Sequence, residues 1–158
     1  MLKKLKESYD KLLKSEKFEK NGFLCGAFIM CKPEDLKNEE WQIDFYDAKK
    51  KEMITYSLNK DVKVEKSKAF KNEYEIKKLE INDVKFDLDK ALEIGSKILS
   101  KHNDSASKII VVLQKIEDLV WNVTYITTNF SIFNVKIDAQ DGKLLSENYS
   151  SLLDFKSN

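Results

Sequence analysis

Trp41 and Trp121 stand 80 residues apart in a chain of 158, and each opens a short alternating run. The first is Trp41-Gln-Ile-Asp-Phe-Tyr46 and the second Trp121-Asn-Val-Thr-Tyr-Ile126. Ahead of each lies a β-rich run, and ahead of that an amphipathic helix. A period of about half the chain predicts duplication of one supersecondary unit. The expected fold class is therefore α+β: two tandem repeats of one helix plus about four antiparallel strands, with the helices packed on one face of the sheet. The units are residues 1–66 and 85–158, joined by a connector at 67–84, all in one compact globular body.

The local patterns bear on each unit. Leu2, Leu5, Tyr9, Leu12 and Leu13 recur at helical spacing, which predicts an amphipathic helix over roughly 2–17, ended by Asn21-Gly22. Phe23 to Cys31 is apolar on both faces, as a central buried strand must be. Trp41, Ile43 and Phe45 alternate with Gln42, Asp44 and Tyr46. A lysine-rich turn leads back into Met53–Leu58, and Asn59-Lys-Asp61 turns into Val62–Glu65. In the second unit Asp87 is a candidate N-cap for a helix carrying Leu88, Ala91, Leu92, Ile94, Ile98 and Leu99, which ends near His102. Strands follow at Lys108–Gln114, around Trp121, through Phe133–Ile137 and at Leu144–Asn148. Asp138 to Gly142 is a tight turn in which Gly142 takes positive φ. In the connector, Phe70, Tyr74, Ile76, Leu79 and Ile81 punctuate charged residues, and its latter part reads more as strand than as flexible tether.

Composition narrows the function classes. Twenty-eight basic residues face 27 acidic ones, and every basic residue is lysine. A balanced surface without arginine lacks the planar fork that reads phosphates and guanine, so no nucleic-acid partner is expected. No apolar run reaches the 18 or more residues of a membrane span, and the first residues do not read as a signal peptide. The expectation is a soluble, cytoplasmic protein with no membrane partner, unless a leader has been removed. Cys25 and Cys31 lie six residues apart on one strand, about 20 Å by strand rise, too far for a bridge. They read as buried free thiols.

No catalytic constellation emerges. His102 is the single histidine and sits at the carbonyl end of a helix, where a cation suits the dipole. Asp138, Asp141 and Gly142 lack the calcium-loop spacing. The four glycines make no phosphate cradle. Acid-x-Lys triplets at Asp47–Lys49 and Glu75–Lys77 are expected by chance in a chain this rich in both. No cofactor and no metal are expected. The informative surface is the sheet face turned away from the helices. It is expected to carry Asp44, Tyr46, Ile110, Val112, Asn122, Thr124, Ile126, Ile132 and Asn134, a neutral mixture suited to binding another protein. Asp44, Tyr46, Ile110, Asn122, Thr124, Ile126 and Asn134 are the candidate partner-binding residues, and the same face offers a route to a homodimer.

The run WNVTYITTNFSIFNVKIDAQDGKLLSE, after the helix FDLDKALEIGSKIL, resembles a PepSY domain. The matching residues are Ala91, Trp121, Val123, Val135, Asp138, Ala139, Gly142 and Leu144, within residues 84–150. In the first half Trp41 and Ile43 fit, but no glycine follows Asp47-Ala48. The tandem units are also similar to the architecture of β-lactamase-inhibitor proteins. The resemblance implies a non-enzymatic regulatory module that modulates a peptidase; family members are mostly exported, a departure from the missing leader. A second reading is a carrier of a small apolar ligand held between sheet and helices. A third is an enzyme with a site of Asp, Glu, Lys and Tyr.

Overall fold

A computed structural model describes residues 1–68 and 75–153. Its order is α1 (Leu2–Leu13), β1 (Phe23–Cys31), β2 (Gln42–Asp47), β3 (Glu52–Ser57), β4 (Lys63–Lys68), α2 (Asp89–Lys101), β5 (Ala106–Lys115), β6 (Leu119–Thr127), β7 (Ser131–Asp138) and β8 (Leu144–Ser151). Short 3-10 turns lie at Pro33–Asp35 and Ile81–Asp83. The strands form a single antiparallel sheet in the order β4-β3-β2-β1-β5-β6-β7-β8.

That sheet corrects the expected fold class. The described residues make two helices and one eight-stranded antiparallel sheet, not two tandem helix-plus-four-strand repeats with helices packed on the sheet. The reason lies in β1. A strand apolar on both sides cannot be left as a sheet edge. β1 pairs with β2 on one side and, from Gly26↔Gln114 to Cys31↔Ile109, with β5 on the other. The sheet therefore continues through the place where one unit was expected to stop. The two tryptophans belong to one core: both are fully buried, with ring centroids 5.9 Å apart.

Strand periodicity fills that core. Ile43 and Phe45 of β2, Ile54 and Tyr56 of β3, and Ile109, Val111 and Leu113 of β5 are buried. Trp121, Val123 and Tyr125 of β6 and Phe133, Val135 and Ile137 of β7 continue the series. Leu5 and Leu12 of α1 and Ala91 and Leu99 of α2 join the same cluster. Tyr9 of α1 stacks on Phe45. Gly95 of α2 lies so close to β6 that an added Cβ would fall 2.4 Å from the Tyr125 ring.

α1 ends at Leu13, short of the expected residue 17. The amides of Ser15 and Phe18 bond back to Leu12 and Ser15 carbonyls, and this turns Phe18 onto Phe45 and Tyr56. Burial of that ring outweighs one more helical turn of lysine and glutamate. Asp87 also does a different job from the one expected. The residue preceding α2 is Leu88, and the Asp87 carboxylate, besides its own Leu88 amide, accepts from the Leu2 amide at 3.1 Å. It thus serves a free amide in the first turn of α1, 85 residues away in the chain. α2 closes with Asn103 at φ 50, the Asp104 amide on the Leu99 carbonyl and the Asn103 amide on that of Ser100.

The latter part of the connector is not a strand where it is described, although Ser67 and Lys68 at its start complete β4. Residues 75–80 are irregular and lead into the 3-10 turn at 81–83. Leu79 and Val84 are buried, and the Leu79 amide donates to the Leu24 carbonyl. Phe70 and Tyr74 lie outside the described residues, as do residues 154–158 of the expected second unit. Among the described residues no helix is long and apolar enough to cross a membrane.

Candidate functional site: the outer face of the sheet

All seven candidate residues occupy strand positions that alternate with the core, and all seven are half-buried. The sheet register divides them into two groups. Ile110, Thr124 and Asn134 lie side by side across β5, β6 and β7. Asn122 is one pleat along β6, and Ile126, opposite Ile132, is one pleat the other way. The Asn134 amide nitrogen donates to Asn122 Oδ1 at 2.6 Å and to Thr124 Oγ1 at 2.9 Å. These polar groups therefore sit in fixed positions, with Lys136 opposite Asn122 and Lys108 opposite Ile126 on the same face. Asp44 and Tyr46 form the second group on β2. β1 and β5 lie between β2 and β6, a separation of roughly 14 Å at ordinary strand spacing. Tyr46 packs edge-on against Phe23 opposite it.

Asp44 has a distinct setting. Its Oδ1 accepts the Thr55 hydroxyl at 2.8 Å from the facing position on β3. Burial pushes its carboxyl above the ordinary range, and hydrogen bonds from Thr55 and Gln42 offset part of that rise. Beside it, burial first and then the Asp44 charge push the Cys25 thiol up to about 12. Cys25 and Cys31 are free, as expected, but half-buried rather than sealed in the core. With so little thiolate, Cys25 is a poor nucleophile.

Sequence patterning missed a cleft on this face. Residues 75–77 of the connector wall a space of about 850 Å³ whose other lining residues include Cys25, Gly26, Asp44, Met53, Val112, Gln114 and Lys136. Lys136 was no candidate, although its place in the β7 alternation, next to Asn134, puts it on the same face. The wall itself has no periodic signature and could not be read from the chain.

His102 lies one residue beyond the last turn of α2 and stacks on Tyr149 of β8 with ring centroids 3.8 Å apart. The Tyr149 hydroxyl donates to Asp104 Oδ2 and can accept from the Ser131 hydroxyl, 3.0 Å away. Burial alone would raise the Asp104 carboxyl. Bonds from a threonine hydroxyl, the Ser105 and Asn129 amides and Tyr149 outweigh it and hold the carboxyl below its ordinary range. This cluster ties the end of α2 to the β7–β8 edge, a structural role. Among the described residues no three His, Cys, Asp or Glu side chains are grouped to hold a metal ion.

Comparison with known proteins adds the fold and little else. No known protein family's pattern matches this chain, and no curated protein matches its sequence. The chain is similar to a solved structure described as a "putative lipoprotein" from Clostridium difficile 630, at 14% identity and a TM-score of 0.55, over 92% of this chain and 90% of that one. At that identity the likeness extends to the fold alone.

Proposed function

We propose that this chain is a non-enzymatic binding or regulatory module whose partner, another protein, docks on the outer face of the sheet. One observation carries the reading: Asn122, Thr124 and Asn134 are locked together by hydrogen bonds on a half-buried patch flanked by Ile110 and Ile126, with Lys136 and Lys108 at its margins. Polar groups already held in place lose little freedom when a partner covers them, and the flanking isoleucines supply apolar area. The PepSY-like run from Trp121 to Leu144 supports a peptidase as the partner. A neighbour in fold described as a lipoprotein supports an exported setting over a cytoplasmic one. The packing disfavours the apolar-ligand carrier, because Trp41, Trp121, Tyr56 and Phe133 fill the core.

Thr124→Lys tests the docking face. It places a charge in the middle of the patch while leaving the core side of β6 untouched. Wild type and variant serve as baits for cross-linking in host cells, with urea denaturation run in parallel and sedimentation to report self-association. The expected outcome is loss of one defined partner, or of the homodimer, with an unchanged denaturation midpoint. Capture of the same partners by both baits removes the site from this face.

A further inference from the structure

In two places a glycine follows a side chain able to cyclise onto it: Asn21-Gly22 and Asp141-Gly142. No other asparagine precedes a glycine. Glycine carries no side chain to obstruct the approach, so its amide nitrogen reaches the preceding side-chain carbonyl carbon readily. The fold treats the two pairs in opposite ways. The Gly142 amide donates to the Asp138 carbonyl at 2.9 Å, and Asp141 Oδ1 accepts the Lys143 amide at 2.9 Å. Phe86 covers Gly142, where a Cβ would lie 2.8 Å from the ring. Asn21 and Gly22 are exposed and belong to neither helix nor strand. Among the described residues the Gly22 amide donates to no backbone carbonyl, and Asn21 joins no backbone hydrogen bond. The chain on either side is held. The Glu19 amide donates to the Tyr56 hydroxyl at 3.1 Å, and the Glu19 carboxylate pairs with Lys66 at 2.8 Å. Gly22 has φ 81, and a Cβ on it would run into the Tyr46 carbonyl, so its backbone rests directly against the end of β2. Lys20 and Asn21 thus form a free span between two fixed points.

We propose that Asn21-Gly22 is a site of spontaneous covalent modification in the folded protein: deamidation through a succinimide, leaving aspartate or isoaspartate at position 21. Solvent base takes the Gly22 amide proton, and the nitrogen attacks Asn21 Cγ. The new N–Cγ bond closes a five-membered ring, an intramolecular step favoured by proximity. The Cγ–Nδ2 bond breaks, the base returns its proton to Nδ2, and ammonia leaves. Water then opens the ring. Cleavage of the new bond gives aspartate; cleavage of the original peptide bond gives isoaspartate, whose backbone runs through Cγ and is one methylene longer. Both products add a negative charge. Only isoaspartate lengthens the span between Glu19 and Gly22, and that span follows directly on Phe18, which packs against Phe45 and Tyr56.

Full-length protein incubated in warm, mildly alkaline buffer, folded in one arm and in urea in the other, tests the site. Peptide mapping by mass spectrometry follows the mass gain at position 21, and enzymatic methylation detects isoaspartate at 21 and 141. Folded protein should convert Asn21 within about tenfold of its rate in urea, whereas isomerisation at Asp141 should be slowed by more than about tenfold. The Asn21 rate should rise with pH, since base generates the attacking nitrogen. Asn21→Ser should abolish the mass gain. Asn21→Asp supplies the charge without the methylene, and the isoaspartate form, isolated by chromatography, should melt roughly 2–4 °C below it. Asn21 that stays intact in folded protein while converting in urea overturns the proposal, as does equal protection at positions 21 and 141. Equal melting of the isoaspartate form and Asn21→Asp refutes the fixed span between Glu19 and Gly22.

Discussion

The β2–β3 turn and the β7–β8 turn start alike and finish differently. Asp47 Oδ1 accepts the amides of Lys49 and Lys50, and Asp138 Oδ1 accepts those of Gln140 and Asp141. Each carboxylate is buried and each makes its turn locally. The left-handed residue that completes the turn is Lys51 at φ 54 in one and Gly142 at φ 78 in the other. An aspartate in the first position thus makes the turn with or without glycine, and the later residue adjusts its energy. The same contrast runs through the two sides of the sheet. Trp121 Nε1 donates to the Phe86 carbonyl at 2.7 Å, whereas the buried Trp41 Nε1 has no protein acceptor among the described residues. The outer edge strand β4 carries Lys63, Lys66 and Lys68, which discourage further pairing, while β8 carries Glu147 as its one charge. The buried indole on the β6–β8 side has its acceptor, whereas the β2–β4 side leaves Trp41 Nε1 without one and holds the Asp44 carboxyl above its ordinary range.

The tryptophans allow the sharpest challenge to this contrast. Trp121→Ala should cost about 3–5 kcal/mol in chemical denaturation, as expected for a large buried ring. Trp→Phe at each site isolates the indole nitrogen. Trp121→Phe leaves the Phe86 carbonyl without its donor, whereas Trp41→Phe removes a donor that had no acceptor. The first should exceed the second by about 1–3 kcal/mol. Equal losses would show that the two indoles are equivalent in energy.

The turns come next in size. Gly142→Ala meets both the positive φ and the Phe86 ring, 2.8 Å from the new Cβ, and should cost roughly 1–3 kcal/mol. Lys51→Gly relieves a left-handed lysine but loosens the unfolded chain, so a gain of at most about 1 kcal/mol is expected. If both substitutions destabilise alike, the aspartates do not carry the turns.

The smallest effect is a difference of sign with pH. Asp104 is held below its ordinary range in the folded protein. Its contribution is complete above the unfolded carboxyl's range and is lost as pH falls towards the folded value. Asp44 is raised in the folded protein. Its protonated form favours folding in acid, and that advantage is lost as pH rises through the ordinary carboxyl range to the folded value. Between about pH 6 and 3, Asp104→Asn should therefore flatten the acid loss of stability, and Asp44→Asn should steepen it. Denaturation midpoints across that range check both signs, and a shared sign refutes the contrast between the two carboxyls.

Legibility in the sequence followed the distance over which each feature is decided. The alternation Trp41–Tyr46 and Trp121–Ile126 identified core and outer residues on β2 and β6, because a strand's two faces follow directly from a period of two. The Asp138–Gly142 turn was equally local. What that period cannot state is which strand lies beside which. β1's apolar run marked it as central, but its pairing with β5, about 80 residues further along the chain, decided that there is one sheet rather than two units. Asp87 looked like a cap for the helix that follows it, and a caps-by-adjacency rule has no means of finding Leu2.

The chain by itself determined its helices, its strands, the direction in which each strand's side chains point and two of its turns. Those are set by backbone sterics, side-chain period and hydrogen bonds spanning a few residues. Tertiary structure alone decided the β1–β5 seam, the contact of the two tryptophans, the Asp87 bond to α1 and the cleft that joins Asp44 to Lys136. Each depends on burial shared between segments far apart in sequence, and that free energy exists only once both segments have left water together.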